Sequence, residues 1–414
     1  MRRRFSNNTT KFDVNNYLSI EALEDGLFVL FTNELEYAID GQDWKVLKAE
    51  EMSPKINKGH VISFRANLLP IDEYNGIGRF SANNEFHLFG NCNSLLFGDN
   101  AVETKDLTEF VGAFARLFSS CNSLKSVSSD FLPATKLGRY CYYEMFYRCT
   151  NLEKAPELPA TTLASYCYER MFYDCKALVE APELPATTLE IHCYDGMFEG
   201  CTSLVEAPEL PATTLASYCY RSMFEGCTSL VEAPSLPATK MQNYCCRSMF
   251  EGCTSLVEAP SLPATKMQNY CYCSMFEGCT SLVEAPELPA TTLAIHCYDG
   301  MFEGCTSLVE APELPATTLA SYCYERMFSH CYKLEKAPVL PALTLKIQCY
   351  YFMFASCENI NYIKMLATDI SASQCLEYWV SNVASTGTFV KNGSAMWEVT
   401  GVSGIPEGWT IEYE

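Results

Sequence analysis

The residues best suited to chemistry are the cysteines, 23 of them. They recur as pairs eight positions apart, beginning Cys141/Cys149, Cys167/Cys175 and Cys193/Cys201. A thiol pair can close a disulfide, hold zinc or supply a nucleophile. Residues eight apart on a helix lie about 12 Å from one another, beyond the roughly 7 Å between Cα atoms that a disulfide tolerates. C-x7-C is not a zinc spacing, and the chain has no CxxC pair. The expected role is therefore structural: Cys167, Cys175, Cys193, Cys201, Cys219, Cys227, Cys253, Cys279 and Cys305 are read as buried, reduced, small hydrophobes. A disulfide staircase between neighbouring units is the alternative, disfavoured because the Cβ vectors would run parallel. Cys246 and Cys273 fall outside the columns, replacing the Tyr220 and Arg221 of another unit, and Cys273 is expected at the surface.

Other chemistry is hard to find. There is no G-x-S-x-G elbow, G-x-x-x-x-G-K-[ST] loop or H-E-x-x-H pair. Acidic pairs are abundant only because they repeat, whereas a catalytic dyad is singular. His192 and His296 stand 104 residues apart and are not one site. The chain is read as a non-enzyme with no catalytic residues, no cofactor and no metal.

The elements that position these residues form an array. The second cysteine of each unit (Cys149, Cys175, Cys201, Cys227, Cys253, Cys279, Cys305, Cys331, Cys357) returns every 26 residues, and the first keeps step from Cys141 to Cys375. Two degenerate units precede them, around Cys92 and Cys121. A 26-residue unit is too short for the two helices of a helical solenoid. Cys219, Met223 and Cys227, at i, i+4 and i+8, predict a short helix. Pro208 and Pro211 then predict an extended stretch near residues 204–207 followed by a turn. The expected fold is an α/β repeat, a solenoid of about 11 coils over residues 88–375, with one short parallel strand and one short helix per coil.

The flanks differ in texture. Residues 1–87 carry short β-rich runs with a hairpin signal at Asp40-Gly41, and are read as a small β-sandwich-like domain. Residues 376–414 hold Trp379, Trp397 and Trp409 and are read as a C-terminal cap, with sugar stacking as the alternative use of the tryptophans.

The "MFEGCTSL" core, the following "APELP" and the "CY" before the next Met-Phe resemble the BspA-like leucine-rich repeats of gut Bacteroidales surface proteins and their phages. "YLSIEALEDG", "TGTFVKNG" and "SGIPEGWTIEYE" extend the resemblance into both flanks. The resemblance implies a right-handed solenoid and roles in adhesion and protein binding. The general L-x-x-L-x-L pattern is only partly kept: Leu204 and Ala207 fit, but the next apolar residue is Leu210, one late.

Two glutamate columns are candidate interaction surfaces. One holds Glu180, Glu206, Glu232, Glu258, Glu284 and Glu310; the other holds Glu157, Glu183, Glu209, Glu287 and Glu313, with Ser235 and Ser261 between. Carboxylates stacked about 5 Å apart repel by about 0.8 kcal/mol in water and about 3 kcal/mol at an effective dielectric of 20. Such a column is either a solvated face that blocks aggregation or a strip that binds cations or Lys/Arg side chains. Tyr166, Tyr218, Tyr244, Tyr270 and Tyr322, in register with His192 and His296, form a candidate aromatic contact column.

A net charge of -21 argues against nucleic acid and anionic lipid as partners. No apolar run is long enough to span a membrane. Asn7–Lys11 stand where the apolar core of an export leader would be, which predicts a chain without that signal. These readings converge on a scaffold that binds a protein or glycan, possible as a homo-oligomer. Its expected setting is a phage virion (a fibre or decoration protein in contact with other virion proteins) or the producing cell's cytoplasm. A bacterial cell-surface adhesin and a purely structural spacer are the alternatives.

Overall fold

The computed structural model describes residues 12–414. The expectation about an export leader therefore lies outside the described residues.

The N-terminal strands are β1 (Leu18–Ala22), β2 (Val29–Phe31), β3 (Leu35–Ile39), β4 (Lys45–Leu47), β5 (Val61–Arg65), β6 (Phe80–Ala82) and β7 (Phe86–Gly90). They alternate apolar residues inward, as Leu18, Ile20 and Ala22 do. Asp40 and Gly41 both take positive φ and connect the antiparallel pair β3–β4, the hairpin that Asp-Gly predicts. With β8 (Leu124–Val127) the sheet runs in the order β4-β3-β5-β1-β7-β8, and β2–β6 form a separate pair. β7 is antiparallel to β1 but parallel to β8, so it turns an antiparallel sheet into the first rung of the array. The predicted boundary at residues 87/88 falls inside this strand.

The coils depart from the expected strand-plus-helix unit. Among the described residues the only α-helix is the single turn Ser94–Phe97, and it lies outside the regular repeats. The Cys-to-Cys segment is instead a run of tight turns. In one coil Tyr166, Arg170 and Asp174 take φ of 65°, 52° and 58°, every fourth residue. Alternate amides do two jobs. Cys167, Glu169, Met171, Tyr173 and Cys175 N–H bond three residues back within the coil; Tyr166, Tyr168, Arg170, Phe172 and Asp174 N–H bond to carbonyls of the next coil. Each backbone group is satisfied without helix or strand. The apolar pairs Cys167-Tyr168 and Met171-Phe172 face inward because this turn run repeats every four residues, close enough to 3.6 to mimic a helix.

The expected extended stretch narrows to single parallel bridges, Glu180↔Glu206↔Glu232↔Glu258↔Glu284↔Glu310↔Lys336, with a second, interrupted ladder at Thr214↔Lys240 and Thr292↔Thr318. The prolines that follow each bridged glutamate, Pro208 and Pro211 in one coil, remove amide donors and stop the bridges from extending into strands.

Packing is coil on coil. Phe172, Phe198, Phe224 and Phe250 stack with ring centroids 5.7 Å apart. One continuous core runs from Leu18 to Trp409. Burying each Met, Phe or Leu contributes roughly 1.5–3 kcal/mol, and every coil gains this only from its neighbours.

At the far end β9 (Tyr362–Met365), β10 (Thr388–Lys391) and β11 (Thr410–Tyr413) make a parallel sheet in the order β11-β10-β9. Trp379 is fully buried; its ring N–H donates to Gly404 O at 2.8 Å. Trp397 donates to Ala367 O at 2.8 Å and Trp409 to Ala384 O at 2.7 Å. All three are tied into the end of the stack.

Candidate interaction faces

The nine thiols are buried and unpaired, as are the other cysteines among the described residues. Their two columns differ. In the second column each Sγ–H donates to the carbonyl of a phenylalanine one coil back: Cys201 to Phe172 and Cys227 to Phe198, both at 3.1 Å. In the first column Cys219 comes only to 4.0 Å from Cys245 O. Burial holds these thiols up; that of Cys167 reaches about 12. They are therefore neither nucleophiles nor ready ligands. Cys273 is also buried, contrary to expectation: its short side chain stays within the stack, whereas Arg247 at the equivalent place one coil earlier extends to solvent.

The first glutamate column lies on the bridge ladder. Glu180, Glu206, Glu232, Glu258, Glu284 and Glu310 are all exposed, one coil apart. Lysines stand at both ends of the column, Lys336 bridging to Glu310 and Lys154 one coil before Glu180. Beside it, Val179, Val205, Val231, Val257, Val283 and Val309 are 40–46% exposed, an apolar edge along the acidic row. The second column, Glu157, Glu183, Glu209, Glu287 and Glu313, is exposed across the proline turn. Glu180, Glu183, Glu206 and Glu209 together line a 430 Å³ groove floored by Pro185, Pro208 and Pro211.

The aromatic column is a half-buried stack. Rings of Tyr166, His192, Tyr218, Tyr244, Tyr270, His296 and Tyr322 follow one another at 4.3–4.7 Å. Each of these residues holds a positive φ, a conformation bulky side chains avoid. Coil-to-coil hydrogen bonds and the stack itself hold them there. From Tyr166 to His296 both faces are covered by neighbouring rings, so only their edges are free to touch a partner, while Tyr322 at the end of the stack has a ring on one face. The neighbouring tyrosines, Tyr168 and Tyr220 among them, are fully buried.

A third glutamate column escaped the sequence reading. Glu199, Glu225, Glu251, Glu277 and Glu303, in the repeated "MFEG", are half-buried, and the first three line a 350 Å³ polar cleft with Arg170, Arg221 and Arg247. Burial first, and Glu225 and Asp195 after it, push Glu199 up to about 7 against the pull of Arg170 and Arg221. Burial likewise takes Glu303 to about 7, with Glu277, Asp299 and Glu325 adding to the effect and Arg326 opposing it. The signal was present as a 26-residue recurrence of Glu, hidden because the surrounding motif reads as core.

Comparison with known proteins places the array. The family described as BspA type Leucine rich repeat region matches in six copies, in overlapping stretches at residues 89–206, 115–257, 168–295 and 265–378. Neither curated proteins nor solved structures gave a match. No helix among the described residues is long and apolar enough to cross a membrane. The matched stretches span well over half of the chain, which therefore belongs to the BspA-type leucine-rich repeat family.

Proposed function

We propose that this chain is a non-enzymatic interaction scaffold whose bridged glutamate row takes a basic protein partner. One observation carries the reading: six exposed carboxylates, Glu180 to Glu310, are held one coil apart by backbone bridges. Like charges at that spacing cost stability, so the row is a stability liability that the chain retains. The exposed valine edge adds apolar contact to a charge-steered encounter. An extended Lys/Arg-rich segment laid along the row would place same-face side chains about 6.6 Å apart against carboxylates about 4.8 Å apart, a mismatch that the long flexible Lys and Arg stems can span. Family membership supports protein binding or adhesion. The finer setting proposed is a phage virion-associated fibre or decoration protein, with a bacterial surface adhesin as the rival; it rests on the family resemblance. Mass spectrometry of purified phage particles and of surface-shaved cells separates the two.

The test of the binding reading is pull-down and calorimetry of the full chain with lysine-rich and glycan probes. Binding to the basic peptides that weakens with salt supports it. Selective binding of neutral glycans instead would replace it.

A further inference from the structure

The hexapeptide Ile-His-Cys-Tyr-Asp-Gly occurs twice, at residues 191–196 and 295–300. Each copy sets a histidine on a buried aspartate: His192 Nδ1 lies 2.6 Å from Asp195 Oδ2, and His296 Nδ1 lies 2.8 Å from Asp299 Oδ2. A neighbouring coil adds a third donor, Glu169 to the first and Glu325 to the second, and within each trio the candidate ligand atoms lie within 4.8 Å of one another.

The two copies are closed differently. At the first, Arg221 from the following coil donates Nε to Asp195 Oδ1 at 3.0 Å and reaches Oδ2 with Nη2 at 2.8 Å. Both carboxylate oxygens are thus neutralised by protein. At the second, the position of Arg221 is held by Glu325, and the position of Glu169 by the neutral thiol Cys273. Arg326 lies 3.6 Å from Asp299 Oδ1, 3.7 Å from Glu325 Oε1 and 3.8 Å from Glu303 Oε2, spread over three carboxylates and within hydrogen-bond distance of none. That oxygen is buried and makes no hydrogen bond, on a side chain only 10% exposed. An unsatisfied buried carboxylate oxygen is destabilising, and a bound cation would relieve it.

We infer that His296, Asp299 and Glu325 form a binding site for a divalent zinc-like ion, independent of the bridged glutamate row, whereas the His192 copy is an arginine-closed structural counterpart. One imidazole and two carboxylates suit a borderline ion such as Zn²⁺ better than Ca²⁺ or Mg²⁺, which take oxygen ligands. Protein supplies three donors, leaving remaining positions to water.

The experiment is zinc titration of the full chain after chelator treatment, by calorimetry with metal content checked by mass spectrometry. The variants are His296→Tyr, Glu325→Arg and His192→Tyr, each installing a residue that the array already carries at an equivalent place, so that folding is preserved and checked by circular dichroism. The expected result is one equivalent of zinc bound by the wild type and by His192→Tyr, with affinity lost by about tenfold or more in His296→Tyr and Glu325→Arg. Zinc uptake equal in the wild type and His296→Tyr overturns the assignment, as does an equal loss in His192→Tyr.

Discussion

The thiol of Cys227 donates a hydrogen bond to the carbonyl of Phe198, one coil back, at 3.1 Å. That carbonyl already accepts the amide of Cys201 at 3.0 Å. The second cysteine of the unit is therefore both a small core residue and a stitch between coils, which alanine could not be. Cys219, eight residues earlier, has no comparable bond. Cys219→Ala is expected to cost about 1 kcal/mol for the lost sulfur, and Cys227→Ala about 1 kcal/mol more for the lost bond. Equal shifts in the two variants' denaturation midpoints would count against the stitch.

Thiol reactivity follows from the same burial. In native buffer the 23 cysteines should react slowly with a thiol reagent, and nearly all should react once the chain is unfolded. A majority found oxidised after denaturation would show a disulfide framework instead.

Far-UV circular dichroism tests the turn run. With one helical turn among the described residues, the spectrum should lack the paired minima of a helical protein. A strand-and-helix coil repeated along the array would give them plainly.

The third glutamate column makes stability depend on pH. Glu199 and Glu303 of this column, and Glu169 outside it, are each pushed up to about 7 by burial, above the ordinary carboxyl value near 4.5. Their protonated forms are favoured by folding. The stabilisation is complete below the ordinary value and is lost as pH rises through about 7. With chelator present, the melting temperature should fall between pH 5 and pH 8, and Glu199→Gln with Glu303→Gln should flatten that fall. A melting temperature that rises over the same interval would contradict the assignment.

Much of the architecture was legible because coils repeat. The 26-residue return of Cys201, Cys227 and Cys253 disclosed a stack, and burial of all three follows from it. The helix was a false inference with a physical cause: Cys219, Met223 and Cys227 span only eight residues, over which periods of 3.6 and 4 both bring the side chains to one face. Ring stacking and coil-to-coil amide bonds then hold Tyr218 at a positive φ that local propensity disfavours. Cys273 was expected outside because it replaces Arg221 of another unit, yet it is buried. The pairing of His296 with Asp299 was visible as a three-residue spacing, but the contribution of Glu325 depends on which residues of successive coils overlie one another.

The bridged carboxylate row is most directly tested by neutralising its centre. Glu232, Glu258 and Glu284 changed together to Gln should raise the melting temperature, because like-charge repulsion is relieved, while abolishing salt-sensitive binding of a lysine-rich peptide to the full chain. Loss of binding with gain of stability is the expected result. Unchanged peptide binding in the triple variant, or none in the wild type, would contradict a binding role for the row.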